Sequence, residues 1–138
     1  MKKDIILAGV GGQGILTIAT IIGDAAARHG LNLKQAEVHG MSQRGGDVQS
    51  NLRLSTETIY SDLIRQGSAD LIISMEPMEA LRYCQYLNTE GWVVTSSNPF
   101  RNIANYPEEE ALMTELKGLP HVEAVSIEDL AKQNGIPK

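Results

Sequence analysis

The chain has 138 residues, a formal charge of −5 at pH 7 and a single cysteine, Cys84. This length suits one domain with its own core, and an acidic balance without a Lys/Arg cluster disfavours nucleic acid as the main partner. One cysteine excludes an internal disulfide and an iron–sulfur cluster held by the chain's own thiolates. No apolar run approaches the length of a membrane span and no signal peptide precedes the first strand, so we expect a cytoplasmic protein without a membrane partner.

A glycine-rich loop follows the first predicted strand, whose continuous apolar run at 5–8 is typical of a strand buried on both faces. A helical pattern starts after the loop and ends near Gly30. Between them the glycines match G-x-G-x-x-G, a spacing that lets a ligand approach the backbone and leaves helix N-terminal amides facing an anion such as phosphate. The candidate binding residues here are Gly9, Gly11, Gly12, Gln13 and Gly14. The alternative is that these glycines only form a tight turn.

A second polar, glycine-rich segment follows a second predicted strand at 31–39. Its candidate binding residues are Ser42, Gln43, Arg44, Gly45 and Gly46. The Arg44 guanidinium beside exposed amides suits a phosphate or carboxylate, although a solvated loop arginine has the same sequence. Glu37, near the end of the preceding strand, stands where a dinucleotide fold keeps its ribose-binding carboxylate, but it also suits a solvated strand end.

The next stretch predicts a β-hairpin. Apolar and polar residues alternate from Val48 to Leu54, and a short polar break separates them from Thr58-Ile59-Tyr60, which indicates two strands with one solvated face. A dinucleotide fold would have a second crossover helix here, so the hairpin weighs against a plain NAD domain.

Strands and helices alternate through the rest of the chain. Strands are predicted at 70–75, 91–96 and 121–125, and helices from Glu76-Pro77 to about Leu87, from Pro107, and after Ser126. This order predicts an α/β fold, a Rossmann-like, doubly wound and mostly parallel sheet with a hairpin insertion. Four loops, 9–14, 40–46, 75–78 and 96–99, should then share one crevice at the carboxyl ends of the strands.

The sequence contains no recognisable catalytic set, so it predicts a binding platform and no catalytic residue. His29, His39 and His121 are far apart and lack ligand spacing, so no metal site is predicted.

The two glycine-rich strings, at 9–14 and 43–46, together resemble the gamma subunit or gamma domain of the 2-oxoacid:ferredoxin oxidoreductases. The fuller string at 37–46 is most similar to the indolepyruvate ferredoxin oxidoreductase beta-subunit branch, and the segment at 74–82 resembles the strand-to-helix Glu-Pro segment of the wider family. Members of that family usually continue beyond the matched region. Residues 1–138 are therefore expected to form a single gamma-type domain that is either truncated or naturally short.

The resemblance implies an enzyme subunit. The complex would oxidatively decarboxylate an aryl 2-oxoacid to an acyl-CoA and pass electrons to ferredoxin. Thiamine diphosphate, Mg²⁺ and the iron–sulfur clusters would lie on a large catalytic partner subunit. This chain would bind no such cofactor alone, would be inactive in isolation, and would offer its glycine loops to the phosphates of CoA. Two alternatives stay open, namely a stand-alone NAD(P)-binding Rossmann redox domain and a purely protein-binding surface.

Overall fold

A computed structural model describes residues 1–39, 46–101 and 103–136, and these form a six-stranded sheet with helices on both faces. The strands are β1 (Lys2–Val10), β2 (Asn32–His39), β3 (Asp47–Ser55), β4 (Ala69–Ser74), β5 (Leu87–Ser96) and β6 (Val122–Val125). The helices are α1 (Ile15–Arg28), α2 (Pro77–Arg82), α3 (Glu109–Lys117) and α4 (Ile127–Gln133), and a 3₁₀ turn spans Cys84–Tyr86.

The sheet order is β2-β3-β1-β4-β5-β6. The strands β1, β4, β5 and β6 run parallel to one another. The strand β3 lies between β1 and β2 and is antiparallel to both. The predicted α/β class with a mostly parallel sheet is therefore confirmed.

The central strand β1 faces two separate parts of the core. Ile5 and Leu7 point to the side covered by α1, which packs on β1, β2 and β3. Ile6 and Ala8 point to the opposite side, where α2 and α3 lie. This two-sided burial explains the continuous apolar run, and each fully buried large aliphatic side chain contributes roughly 1.5–3 kcal/mol.

The hairpin differs from the predicted one. The strand β3 pairs with β2 and with β1, while residues 58–60 form no strand. The predicted solvated face is also wrong, since Gln49 and Asn51 are buried and the Gln49 side chain donates a hydrogen bond to Asn51 Oδ1 at 3.2 Å. A strand with neighbours on both sides is shielded, and its polar side chains can be buried when they are hydrogen-bonded.

Two predicted helix boundaries are corrected and a third is confirmed. The helix expected to reach Leu87 stops at Arg82, and β5 already begins at Leu87. The third helix starts at Glu109 with Glu108 as its N-cap, two residues beyond Pro107. The predicted N-cap of the last helix is confirmed, because Ser126 Oγ accepts from the Asp129 amide at 3.4 Å.

Candidate functional site

Three of the four predicted loops meet at the carboxyl end of β1. The Gly11 amide donates to the Gly46 carbonyl at 2.8 Å, which ties the first glycine loop to the end of the second. The Met75 amide donates to the Ala8 carbonyl at 2.9 Å, which brings in the turn after β4. The antiparallel β3 begins at this same edge because Asp47 pairs with Val10.

The side chain of Gln13 links the end of β1 to the turn after β4 through two hydrogen bonds. Its Oε1 accepts from the Val10 amide at 2.8 Å, and its Nε2 donates to the Met75 carbonyl at 3.3 Å. Both ends of the side chain are thus used within the protein. These hydrogen bonds hold the glycine loop against the β4–α2 turn, and a role of Gln13 in ligand binding stays a prediction.

A groove of about 380 Å³ runs along the glycine loop. It is lined by the backbone of Gly11, Gly12 and Gly14 and by the aliphatic side chains of Val10, Ile15, Leu16 and Val48. The described lining carries no charged side chain. A ligand here would meet backbone amides and apolar surface.

The groove ends at the N-terminus of α1. The first intrahelical bond runs from the Ile18 amide to the Gly14 carbonyl, so the amides of residues 15–17 have no acceptor within the helix. Gly14 caps the helix without a side-chain bond, and the first turn contains no acidic residue. The cap and first turn of α1 therefore supply no side chain that neutralises the positive end of the helix dipole, and this end favours an anion.

The glycine motif places the close helix–strand packing at its third glycine, here Gly14, but the structure places it at Gly9. A Cβ on Gly9 would lie 2.7 Å from Ile15 Cδ1, so Gly9 allows the close packing of α1 onto β1. A Cβ on Gly14 would meet nothing within 4 Å, but Gly14 has a φ of 83°, which L side chains rarely adopt. Of the five predicted residues in this loop, Gly11, Gly12 and Gly14 line the groove.

The structure describes only the end of the second glycine loop. Ser42, Gln43, Arg44 and Gly45 lie outside the described residues, and Gly46 contributes its carbonyl to Gly11. The fourth loop is bonded to the start of α4, because Asn98 Oδ1 accepts from the Ser126 hydroxyl at 3.3 Å.

The buried carboxyl group of Glu76 follows Met75, the residue that Gln13 contacts, and was not among the predicted site residues. Glu76 is the N-cap of α2 and is fully buried. Its Oε1 accepts from the Met78 amide at 2.9 Å and from the Tyr106 hydroxyl, which joins the segment before α3 to this edge. Its Oε2 is buried without a hydrogen-bond partner among the residues that the structure describes. Burial raises the pKa of the Glu76 carboxyl, although both hydrogen bonds oppose the shift.

Arg82 on α2 is paired with another carboxylate, Glu79. Arg82 holds Glu79 through a fork, with Nε 2.7 Å from Oε2 and Nη2 3.2 Å from Oε1. Glu79 is fully buried, and the i,i+3 spacing of the pair is the signal that could have revealed it. The Tyr106–Glu76 contact joins residues 30 positions apart and has no such local signal.

Glu76 should make stability depend on pH. Its folded-state pKa lies above the ordinary value of 4.5, so the folded protein binds this proton more tightly than the unfolded chain. Relative to Glu76→Gln, the wild type should lose stability as pH rises from about 4.5 through the raised pKa. Urea unfolding across this range measures the difference, with the exposed Glu115→Gln as control. A constant difference between wild type and Glu76→Gln would contradict the assignment.

The described residues provide neither an activated thiol nor a cluster of metal ligands. Burial raises the pKa of the Cys84 thiol, whose Sγ donates to the Ala80 carbonyl at 3.3 Å, so it is not an activated thiolate. Within residues 1–39, 46–101 and 103–136, no group of three or more His, Cys, Asp or Glu side chains could hold a metal ion. None of the helices in those ranges is both long and apolar enough to span a membrane.

The family model described as pyruvate ferredoxin/flavodoxin oxidoreductase matches residues 4–138. The chain belongs to this family. It is 39% identical to the indolepyruvate oxidoreductase subunit IorB of Archaeoglobus fulgidus, over 98% of this chain and 70% of that protein. It is 46% identical to the IorB subunit of Thermococcus kodakarensis, over 78% of this chain and 56% of that protein.

The fold is also shared with a larger enzyme of this kind. The 2-oxoglutarate:ferredoxin oxidoreductase of Magnetococcus marinus, solved with 2-oxoglutarate, coenzyme A and succinyl-CoA bound, matches with a TM-score of 0.67 and 20% identity. The match covers 98% of this chain and 22% of that one. The chain thus shares its fold with a part of that longer chain.

Membership in this family rules out the alternative interpretation of the chain as a stand-alone NAD(P)-binding domain. The topology agrees, because β3 separates β2 from β1, whereas a dinucleotide fold places the strand with the ribose-binding carboxylate next to the first strand. Glu37 lies on the edge strand β2, and its Oε1 accepts from the Gln35 side chain at 2.8 Å.

Proposed function

We propose that this chain is a non-catalytic subunit of an indolepyruvate-type 2-oxoacid:ferredoxin oxidoreductase. The observation that carries the proposal is the 39% identity to an indolepyruvate oxidoreductase subunit over nearly the whole chain. The carboxyl end of β1 with the loop at 9–14, called the glycine-loop edge below, supports the proposal. This edge offers backbone amides, a groove and a helix N-terminus, but no described nucleophile or acid–base pair. The complex would use CoA and ferredoxin, so we also propose a cytoplasmic location.

The chemistry would belong to the large partner subunit. Thiamine diphosphate with Mg²⁺ supplies the carbanion stabilisation that 2-oxoacid decarboxylation needs, and iron–sulfur clusters carry the electrons. A single, half-buried cysteine could not ligate such a cluster in this chain. The part left to this chain is to present the glycine-loop edge to substrate or partner.

CoA is the ligand that we propose for that edge. The amides at the N-terminus of α1 and the dipole behind them suit a phosphate, and the aliphatic lining of the groove suits an uncharged part of the same molecule. The CoA-bound relative from Magnetococcus marinus has the same fold in the matched region, which supports this choice.

Reconstitution tests the subunit assignment. We expect the chain to co-purify with the large subunit of an indolepyruvate-type enzyme, and the complex to oxidise indolepyruvate in a CoA-dependent reaction with an artificial electron acceptor. The isolated chain should show no turnover. Turnover by this chain alone, free of partner, would contradict the division of labour proposed here, and a failure of the two chains to associate would contradict the subunit role.

Substitutions of Arg44 test whether the second glycine loop binds CoA. If Arg44 contacts a phosphate of CoA, Arg44→Ala should weaken CoA binding by about 1.5–3 kcal/mol, roughly ten- to hundredfold. Arg44→Lys should weaken it less, because lysine keeps the charge but loses the planar fork. The CoA dependence of the reconstituted enzyme measures both. An unchanged CoA dependence with weakened subunit association would show that the second glycine loop binds protein instead.

A further inference from the structure

The strands β1 and β4 meet where the sheet changes the side on which its helices pack. They are parallel neighbours, but α1 after β1 packs on one face of the sheet and α2 after β4 packs on the other. In open α/β sheets, ligands bind in the crevice outside the carboxyl ends of two such strands. Here a side chain of the protein itself crosses that crevice, because Gln13 joins the end of β1 to the residue after β4.

The polar groups of Gln13 are engaged within the protein. Its backbone amide donates to the Val10 carbonyl at 3.1 Å. Its side-chain oxygen accepts from the Val10 amide at 2.8 Å, and its side-chain nitrogen donates to the Met75 carbonyl at 3.3 Å. Turning this side chain toward a ligand would break the last two bonds. The described lining of the groove includes Gly12 and Gly14 but not Gln13, so the geometry separates Gln13 from a ligand held there.

The loop on both sides of Gln13 needs such contacts to keep one conformation. Gly12 and Gly14 have positive φ values of 98° and 83°. Glycine adopts this region without strain, but it also has the greatest conformational freedom of any residue, so two glycines alone do not fix the loop. Gln13 lies between them and is anchored at both polar ends of its side chain. These anchors set the position of the first turn of α1, which begins at Ile15.

We propose that Gln13 is a positioning residue for the ligand of the glycine-loop edge. It acts without touching the ligand, by holding the loop so that the amides of residues 15–17 face the groove. The inference rests on the proposed function, because it requires CoA as the ligand of this edge. Donors that are already held in place bind an anion more tightly, since the cost of ordering the loop is not incurred during binding.

Amide NMR of the wild-type chain tests the inference without any substitution. CoA should shift the amide signals of Gly12, Leu16 and Val48, which line the groove. The Val10 amide should keep the same rate of hydrogen exchange with and without CoA, because the Gln13 side chain stays bonded to it. Faster exchange at Val10 on addition of CoA would show that the ligand takes Gln13 out of its bonds, and the positioning role would be overturned.

The variant Gln13→Met removes both side-chain hydrogen bonds and keeps a side chain of similar length. The Val10 amide should then exchange at least about fivefold faster, as expected for one lost hydrogen bond. In the reconstituted enzyme the KM for CoA should rise at least about fivefold, because the ligand must now order the loop. The kcat should stay within about twofold, because only binding common to the ground state and the transition state is lost.

Gln35→Met is the matched control. Gln35 lies on β2, and its side chain donates to Glu37 Oε1 at 2.8 Å and to Ser50 Oγ at 3.3 Å, so the same substitution again removes two hydrogen bonds. It should leave the Val10 exchange rate and the KM for CoA within about twofold of the wild type, because distant sites act independently. Circular dichroism checks the fold of both variants, and the measurement on the wild-type chain stands if Gln13→Met does not fold.

The outcomes separate this inference from the proposed function. An unchanged KM for CoA in folded Gln13→Met, or a lower kcat with an unchanged KM, would overturn the positioning role. If CoA shifts no amide of the glycine-loop edge and the reconstituted enzyme does not depend on CoA, the proposed ligand fails, and this inference fails with it. If the two chains do not assemble, the subunit role fails, whereas the CoA-induced shifts and the exchange at Val10 still decide the role of Gln13.

Discussion

Replacing Gly9 by valine is expected to destabilise the fold by about 2–4 kcal/mol, because overpacking costs about 1–3 kcal/mol and a lost hydrogen bond about 1 kcal/mol. The added Cβ would lie 2.7 Å from Ile15 Cδ1 and 3.0 Å from Gln13 Oε1. Neither neighbour can move freely, since Ile15 is 4% exposed and Gln13 is bonded to Val10 and Met75. Urea unfolding followed by circular dichroism measures the loss.

Gly14→Ala is the matched control for this prediction. A methyl group there meets open space and has only the left-handed backbone to oppose it, at about 1–2 kcal/mol. Gly14→Asn should cost less, because asparagine tolerates that conformation. Equal losses for Gly9→Val and Gly14→Ala would show that close packing at Gly9 has no special weight.

The second large effect is expected at the start of β1. Asp4 is 1% exposed, and its Oδ1 lies 3.0 Å from Nε of Arg53, directly across the β1–β3 ladder. Arg53→Met would leave this carboxylate with Lys2, which is mostly in solvent. The expected loss is about 2–3 kcal/mol, below the range for a fully buried pair because Arg53 is partly exposed and Lys2 remains.

Arg101→Met provides the comparison. Arg101 and Glu109 form a pair in which both side chains are more than half exposed, so its loss should cost at most about 1 kcal/mol. Adding Asp4→Asn to Arg53→Met should recover part of the lost stability, because the unpaired charge is then removed. Similar unfolding free energies for Arg53→Met and Arg101→Met would contradict this account of Asp4.

The features that were predicted correctly have local causes. The strand–glycine loop–helix unit is encoded within residues 5–30, and the C-terminal stop at Gly30 has the expected positive φ of 73°. The position of α2 was found but its length was not, because apolar residues continue past Arg82 into the 3₁₀ turn and β5. Periodicity shows which residues are buried, but not which element buries them.

The features that were missed depend on contacts between distant residues. The alternation in β3 predicts a paired strand but does not show whether the partner is the segment at 58–60 or the strand at 32–39. The space around Gly9 depends on the rotamer of Ile15, and the surroundings of Glu76 depend on Tyr106. Sequence patterns contain the conformational preference of a residue, whereas the room around it is created only when the chain has folded.

The position of β1 also has a consequence for synthesis of the chain. Ile5 is paired with Leu52 on one side and Leu71 on the other, so neither neighbour exists when β1 leaves the ribosome. Its apolar run stays unpaired until about half of the chain has been translated, which takes several seconds at roughly 5–20 residues per second. During that interval residues 5–8 form an unpaired apolar segment, the kind that engages chaperones or aggregates, and the charged residues Lys2, Lys3 and Asp4 that precede it oppose such association.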